Sequence, residues 1–408
     1  MACQEFPFAR EKANDPPPVY AKLRREDPVS KVKLPNGHFA WLLTRHEDIR
    51  EALSSGKLSA NPHAPGYPEI YHRRRGGITS TKSTLVTVDG HEHARLRGAI
   101  DADFTPEAVE KLRPLIHSVV DEALDVINRR YVKKERPFDL VEEFAAPVPM
   151  RIICRIVGVP APDVVWLSQD TALGTEHPRD AAEDEKQVLV RYVQRLVHEG
   201  LISELIRLHY ETNSLSRDEI AQLLYVVLTA GNAALINSIS LGVLTLFENE
   251  GELHKVRRNP LALAPGLAAE CLRYNSTSAL DCRRAVTEDV TLAGTTISKG
   301  EGIICAVQSA DRDDRAIDRP DVFDPQRKYP VHDVLGLGYG AHRCLGEHLA
   351  KAELEVALGT LFARFPGLKL HGSAEELEFT SPKDNMGVLR LPVSVDPNVQ
   401  LHRIHMPD

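Results

Sequence analysis

Apolar and polar positions follow a helical rhythm over most of this chain and a strand rhythm in a few short stretches. From Pro106 to Arg130, Val109, Leu112, Leu115, Ile116, Val119 and Val120 recur at steps of three and four, the period of one helix face. Asp184 to Tyr210 is a second amphipathic stretch. Ser216 to Glu250 is longer, and its middle (LLYVVLTAGNAALINSISLGVLTLF) is apolar on nearly every side, which predicts a helix in the centre of a large protein. Pro16-Pro17-Pro18 precedes a first helix, His38–Thr44 reads as a strand and Arg45–Ser54 as a helix. Residues 56–86, rich in Gly, Pro, His and Ser, predict a long surface loop, and loops of that length are often functional. Short strands are expected at Ser278–Val286, Thr291–Ile297 and Gly302–Ala306, irregular chain from Arg312 to Pro330, a helix over Cys344–Arg364 and a hairpin over Leu377–Val395. Neither a repeat nor a low-complexity linker divides the chain. The expectation is one unit over residues 1–408, mainly α with small β-sheets, without the βαβ alternation of a doubly wound fold.

Composition narrows the function. At 42% hydrophobic residues the chain is not globally disordered. A net charge of -8, with both signs mixed along the chain, argues against a nucleic-acid partner. No window approaches 18 consecutive apolar residues, so no membrane partner is expected. The start, Met1-Ala2-Cys3-Gln4-Glu5-Phe6, lacks a basic region followed by an apolar one. Six irregularly spaced cysteines suit a reducing compartment. Together these predict a cytoplasmic protein large enough to bury a site for a small-molecule substrate.

The most informative stretch is Leu337-Gly338-Tyr339-Gly340-Ala341-His342-Arg343-Cys344-Leu345-Gly346. Its glycines let the backbone fold tightly beneath a flat ligand. Cys344 is placed at a helix start, where backbone N–H groups, with His342 and Arg343 alongside, favour a thiolate. That is what a thiolate ligand to haem iron requires. Other readings are weaker. Gly336-x-Gly338-x-Gly340 lacks the strand and helix around a dinucleotide loop, no CxxCH motif marks covalent haem, and Cys344-x3-His348 has no second pair for zinc.

The glycine–histidine–cysteine signature has three companions. Glu270-x-x-Arg273 can pair on one helix face, and Phe323-Asp324-Pro325-x-Arg327 follows about 50 residues later. His91-Glu92-His93-Ala94-Arg95-Leu96-Arg97 forms a basic segment, and Arg284 lies within the strand expected over Ser278–Val286. With these, the whole chain resembles the cytochrome P450s. The resemblance implies haem b between the long central helix and the cysteine loop, with Cys344 as iron ligand. It implies a Glu–Arg–Arg triad bracing that core, and His93, Arg97, Arg284 and His342 as partners of the haem carboxylates. One departure is Leu337, where the family usually has an aromatic.

Within the family the chain resembles the fungal nitric oxide reductase branch, through Ala230-Gly231-Asn232-Ala233, Ser276-Thr277-Ser278-Ala279-Leu280, the LGEHLAKAEL after Cys344, Phe6-Pro7-Phe8 and Ala21-Lys22-Leu23-Arg24. That branch implies direct use of NAD(P)H to reduce nitric oxide to N2O. Several of its special positions differ here. Ala234 replaces a threonine, Asn385 an aspartate, Asp384 an arginine, and Ala60-Asn61-Pro62 a basic loop. Each lost cation matters by about 1 kcal/mol at low effective dielectric. Arg283 keeps a positive channel position, and Arg73-Arg74-Arg75 could compensate.

The catalytic candidates are therefore Asn232 and Ala234 on the distal helix, Ser278, retained from the branch, and Asp281, able to bind a cationic group, relay a proton or pair with Arg283 or Lys383. The leading expectation is oxidation of a small organic substrate, by hydroxylation, coupling or desaturation, in a biosynthetic pathway. Electrons would come from NAD(P)H directly or through a ferredoxin or flavoprotein. The alternatives are NAD(P)H-dependent nitric oxide reduction and, from another class, a haem gas-binding or sensor protein.

Overall fold

The computed structural model describes residues 4–12, 14–70, 84–169, 191–197, 215–277, 282–381 and 385–399. The chain begins with β1 (Gln4–Glu5), α1 (Val19–Glu26), β2 (Val29–Lys33), β3 (Phe39–Leu43), α2 (His46–Ser54) and β4 (Leu58–Ser59). A helical body follows: α3 (Gly90–Gly98), α4 (Pro106–Arg130), the short β5 (Phe138–Asp139), α5 (Pro147–Val157), α6 (Ala161–Gln169), helical residues 191–197, α7 (Arg217–Ala230), α8 (Asn232–Glu248), α9 (Glu250–Arg258) and α10 (Pro260–Asn275). Then come β6 (Arg283–Val286), β7 (Val290–Leu292), β8 (Thr295–Ile297), β9 (Gly302–Cys305), α11 (Val307–Ala310), α12 (Glu347–Arg364), β10 (Leu368–Leu370) and β11 (Pro392–Val395).

Local chemistry explains where the main helices start. Thr105 accepts from the Ala108 N–H and Pro106 occupies the first turn of α4, where its missing N–H costs nothing. The apolar stripe then buries Val109, Ile116, Val119, Val120, Leu124 and Ile127, and α4 packs on α12. Ser216 and Glu219 form a reciprocal capping box that fixes the start of α7. The largest apolar cluster joins α4, α8, α10 and α12, so the core lies beneath the cysteine loop. By length and apolar composition, the stretch Arg217–Glu248 would suffice to cross a bilayer. Here it packs inside this core, with Leu241, Val243, Leu244 and Leu246 buried.

The sheets sit to one side. The larger has the order β1-β2-β3-β9-β6-β4, with β3 and β9 parallel and β6 and β9 antiparallel. The others are β10-β11-β5 and the pair β7-β8.

The mainly α expectation with small sheets holds, and the differences are local. The central helix is two helices, because the backbone turns at Gly231 between Ala230 and Asn232. The strand expected from Ser278 begins at Arg283, and residues 278–281 lie outside the described set. Thr291–Ile297 is not one strand, since a tight turn at Ala293 and Gly294 folds it into β7 and β8. The surface-loop reading of 56–86 is corrected in part. β4 pairs with β6, and Ser59, Ala60, Ile70 and Leu85 are buried because the segment closes the sheet edge over the core. Leu377–Val395 is not one hairpin, because β11 pairs with β10 and β5 instead, leaving one bridge between Phe379 and Val388. Of the stretch 184–210, residues 191–197 are described, and they are helical.

Candidate functional site

Two glycines shape the cysteine loop. Gly338 and Gly340 have φ of +75° and +69°, in the region that only glycine adopts freely. At Gly340 a side chain is excluded twice, because a Cβ there would stand 2.6 Å from the Leu53 carbonyl oxygen. The loop is tied back on itself. The Cys344 N–H donates to the Leu337 carbonyl at 2.8 Å. The Arg343 guanidinium donates to the carbonyls of Gly338 at 2.9 Å and Val331 at 3.0 Å, and pairs with Glu347. Arg50 lies over the Tyr339 ring and donates to its hydroxyl at 2.9 Å.

The helix after the cysteine starts at Glu347 rather than at Cys344. The thiol therefore sits three residues ahead of the helix, and the expected dipole effect reduces to one contact. Burial pushes the Cys344 thiol up, while the Gly346 N–H and the Arg97 and Arg343 cations oppose it only in part. Such a thiol becomes a thiolate when a metal cation displaces its proton.

The Glu–Arg–Arg triad is assembled in the core. Arg273 grips Glu270 with two bonds, Nε to Oε2 at 2.8 Å and Nη2 to Oε1 at 2.7 Å. Arg327 Nε reaches Oε1 at 3.2 Å, and the Asp324 N–H donates to it at 2.9 Å. Glu270 and Arg273 are 2% and 1% exposed, so this is a buried pair rather than the common surface one. Asp311, fully buried, joins the triad to the cysteine loop. Its carboxylate accepts from the N–H groups of Leu335 and Gly336, each at 2.8 Å, and bonds Ser276 Oγ at 2.6 Å. Its backbone carbonyl accepts from Arg273 at 2.8 Å.

The basic segment forms α3 and docks on the loop. Arg97 donates to the Arg343 carbonyl at 2.6 Å, and the His93 and His342 rings stand 4.2 Å apart. Burial, then the His342 and Arg97 charges, lower His93, so its ring is neutral at pH 7 and able to offer one N–H. His342 Nε2 bonds Asp89 at 3.0 Å, and Asp89 also accepts from Ser59 Oγ at 2.5 Å and the Ala60 N–H at 3.1 Å. Burial alone would raise Asp89, but these three bonds outweigh it and hold the carboxyl at about 2. A group lowered on folding stabilises the native state above its ordinary pKa of 3.8, and that stability fades as the pH falls toward about 2. Asp89→Asn is therefore expected to unfold more readily than the parent at neutral pH. The gap should be constant down to about pH 4 and close below it, which acid titration of the circular dichroism signal checks.

Cys344, His342, His93 and Arg97 thus come together in one patch. Arg284 lies on β6, where its guanidinium donates to the Arg283 carbonyl at 2.8 Å. Asn232 and Ala234 lie in the first turn of α8, just past the break, with Asn232 5% exposed. The Ala234 carbonyl accepts from Ser238 Oγ at 2.8 Å and from Thr277 Oγ1 at 3.5 Å. Ser278 and Asp281 lie outside the described residues, as do Arg73-Arg74-Arg75, Lys383 and Asp384. Among the described residues no cluster of three His, Cys, Asp or Glu could hold a metal ion by itself. The donor set fits haem: one thiol for the iron, and imidazole and guanidinium donors for carboxylates, over a loop shaped by glycine.

Sequence reading missed Asp89 and Asp311. Both are single acids in unremarkable local sequence, and no spacing rule marks a carboxylate that caps backbone N–H groups from a distant part of the chain. It also missed the fate of Arg283. That guanidinium pairs with Glu69 at 3.6 Å, reaches the Pro68 carbonyl at 3.4 Å and lies 5.4 Å from the centre of the Tyr67 ring.

Comparison with known proteins agrees with this geometry. The family model described as Cytochrome P450 matches residues 194–397. The chain is 37% identical over 400 residues to Cytochrome P450 55A3 of Fusarium lichenicola, covering 95% of this chain and 96% of that one. It is 34% identical to pentalenic acid synthase of Streptomyces avermitilis, covering 95% and 96% of the two chains. Among solved structures, GfsF, a protein of Streptomyces halstedii, superposes with a TM-score of 0.88 at 32% identity, over 96% of this chain and all of that one.

Proposed function

This chain belongs to the cytochrome P450 family, and from that premise we propose that it oxidises a small organic substrate in a biosynthetic pathway, drawing electrons through a ferredoxin or flavoprotein. Cys344 would hold the haem iron, and His93, Arg97, His342 and Arg284 would hold the haem carboxylates. When bound, haem supplies the oxidising chemistry, and the protein supplies orientation and proton access.

The observation that carries this reading is Arg283. Of the channel positions compared with the nitric oxide reductase branch, it alone keeps a positive residue, and its charge is matched by Glu69. A guanidinium already paired with a carboxylate attracts a dinucleotide phosphate weakly, because the two fields cancel within a few ångströms. A relative named pentalenic acid synthase also supports an organic substrate.

On the distal side this chain places no hydroxyl at Ala234. The Thr277 hydroxyl, buried and directed at the Ala234 carbonyl, stands close to that turn. Among the described residues it and the Asn232 amide are polar groups at that turn for holding a water or a substrate hydroxyl. Hydroxylation, coupling and desaturation all remain within reach of this equipment, since each needs a positioned C–H or O–H and limited water.

The competing reading is NAD(P)H-dependent reduction of nitric oxide, favoured by the AGNA turn and by Ser276-Thr277. Anaerobic turnover of the haem-loaded protein with nitric oxide and NADH, then NADPH, separates the two. The expected result is no N2O above a protein-free control, with the ferrous–carbonyl spectrum intact. Rapid N2O formation without a partner protein would overturn the organic-substrate reading.

A further inference from the structure

Two cysteines outside the haem site face each other across the central sheet. β6 and β9 run antiparallel with Arg284 opposite Ile303 and Arg283 opposite Ile304. One residue further, that register puts Cys282 opposite Cys305, and the Cys305 N–H donates to the Cys282 carbonyl at 2.8 Å. Directly opposed residues of an antiparallel pair point to the same face, with Cβ atoms about 4.5–5.5 Å apart. The Cα atoms of such a hydrogen-bonded pair stand about 5.5 Å apart, within the range a disulfide spans, and the Cβ atoms have to close by up to about 1 Å to reach its 3.5–4.5 Å. Both cysteines are free, and Cys282 packs against the apolar cluster that contains Cys305.

The pair is asymmetric. Cys305 is fully buried in the cluster formed by Leu43, Ile303 and Leu335, whereas Cys282 is half-buried at its edge. The neighbouring Cys305 thiol lowers the Cys282 thiol, and despite burial the Arg284 and Arg283 charges reinforce that direction. The neighbouring Cys282 and burial raise Cys305. This is the arrangement of an attacking and a resolving cysteine.

We propose that Cys282 and Cys305 form a reversible redox pair, which a peroxide closes into a disulfide that ties the strand carrying Arg284 to the central strand β9. The Cys282 thiolate attacks the peroxide O–O bond. An S–O bond forms, and the departing hydroxide takes a proton and leaves as water. The Cys305 sulfur then displaces the hydroxyl of the Cys282 sulfenic acid, and the Cys305 thiol proton leaves with it as a second water. Two thiols have given up two electrons, and hydrogen peroxide has become two waters. The inference is independent of which substrate the haem serves.

The test treats haem-loaded protein with a few equivalents of hydrogen peroxide, removes the excess with catalase, and alkylates the remaining thiols after denaturation. Peptide masses are then read without reduction. The expected product is a Cys282–Cys305 linked peptide pair that dithiothreitol cleaves, formed while the haem Soret band is retained. Cys305→Ser should stop at a sulfenic acid on Cys282 that dimedone traps. Cys282→Ser should slow oxidation of Cys305 by about tenfold or more. The proposal is overturned if both cysteines remain alkylatable until the haem bleaches. It is equally overturned if Cys305 oxidises at the parental rate in Cys282→Ser. The peptide map of the unsubstituted protein decides the matter even if a variant fails to fold.

Discussion

Cys344→Ala is expected to abolish the thiolate-type ferrous–carbonyl Soret band completely, while haem retained by the carboxylate partners would show a spectrum without it. The reason is the isolation of the thiol. Among the described residues the other free cysteines, Cys154, Cys271, Cys282 and Cys305, lie on or next to other elements, and the histidines of the patch carry no sulfur. Cys344 is also held by the loop rather than by its own side chain, through its N–H to Leu337 and through the Arg343 bonds to Gly338 and Val331. Removing the sulfur therefore leaves the loop's hydrogen bonds in place, so the variant should keep its helical circular dichroism. Carbon monoxide difference spectra of parent and variant, normalised to haem content, measure the effect. A thiolate-type band surviving in Cys344→Ala would refute the ligand assignment.

The largest effect on stability is expected from Glu270→Ala. Glu270 is 2% exposed and carries two bonds from Arg273, one from Arg327 and one from the Asp324 N–H. Truncating it leaves the Arg273 guanidinium, 1% exposed, without its counter-charge. Removing one partner of a buried ion pair costs about 3–5 kcal/mol, because the remaining charge is stranded away from water. Arg273 also donates to the Asp311 carbonyl, and the Asp311 carboxylate holds Leu335 and Gly336 at the entry to the cysteine loop. The loss should therefore reach the haem site. Denaturant unfolding followed by tryptophan fluorescence should show the lowered midpoint, and the fraction of protein purified with haem should fall in parallel. An unchanged midpoint would mean that the triad is not what braces the core.

Several parts of this account were legible in the residues. The 3.6-residue period from Pro106 to Arg130 became α4 with the boundaries read from it. The glycine spacing around Cys344 marked the loop, because Gly338 and Gly340 need conformations that other residues avoid. Glu270 and Arg273 could be paired on paper, because a helix puts positions i and i+3 on one face. Other parts were not legible. The break at Gly231 interrupts a run whose apolar pattern continues on both sides, so periodicity gave no sign of it. The start of α12 was misplaced by three residues, because Cys344 and Leu345 suit a helix as well as a loop. Strand partners in the C-terminal region were misassigned, because alternation identifies a strand but says nothing about its neighbour.

The division has a physical cause. Sequence alone determined the helical class, the family, the single thiolate candidate and the triad, since these rest on local periodicity or on short motifs with fixed chemistry. Only the tertiary structure decided which acids serve the site. Asp89 and Asp311 act on residues 253 and 24 positions away along the chain, and Glu69 matches the charge of an arginine on a distant strand. It also decided that Cys282 and Cys305 are partners. Long-range hydrogen bonds and ion pairs depend on how elements pack, and packing is a property of the whole core that no local pattern encodes.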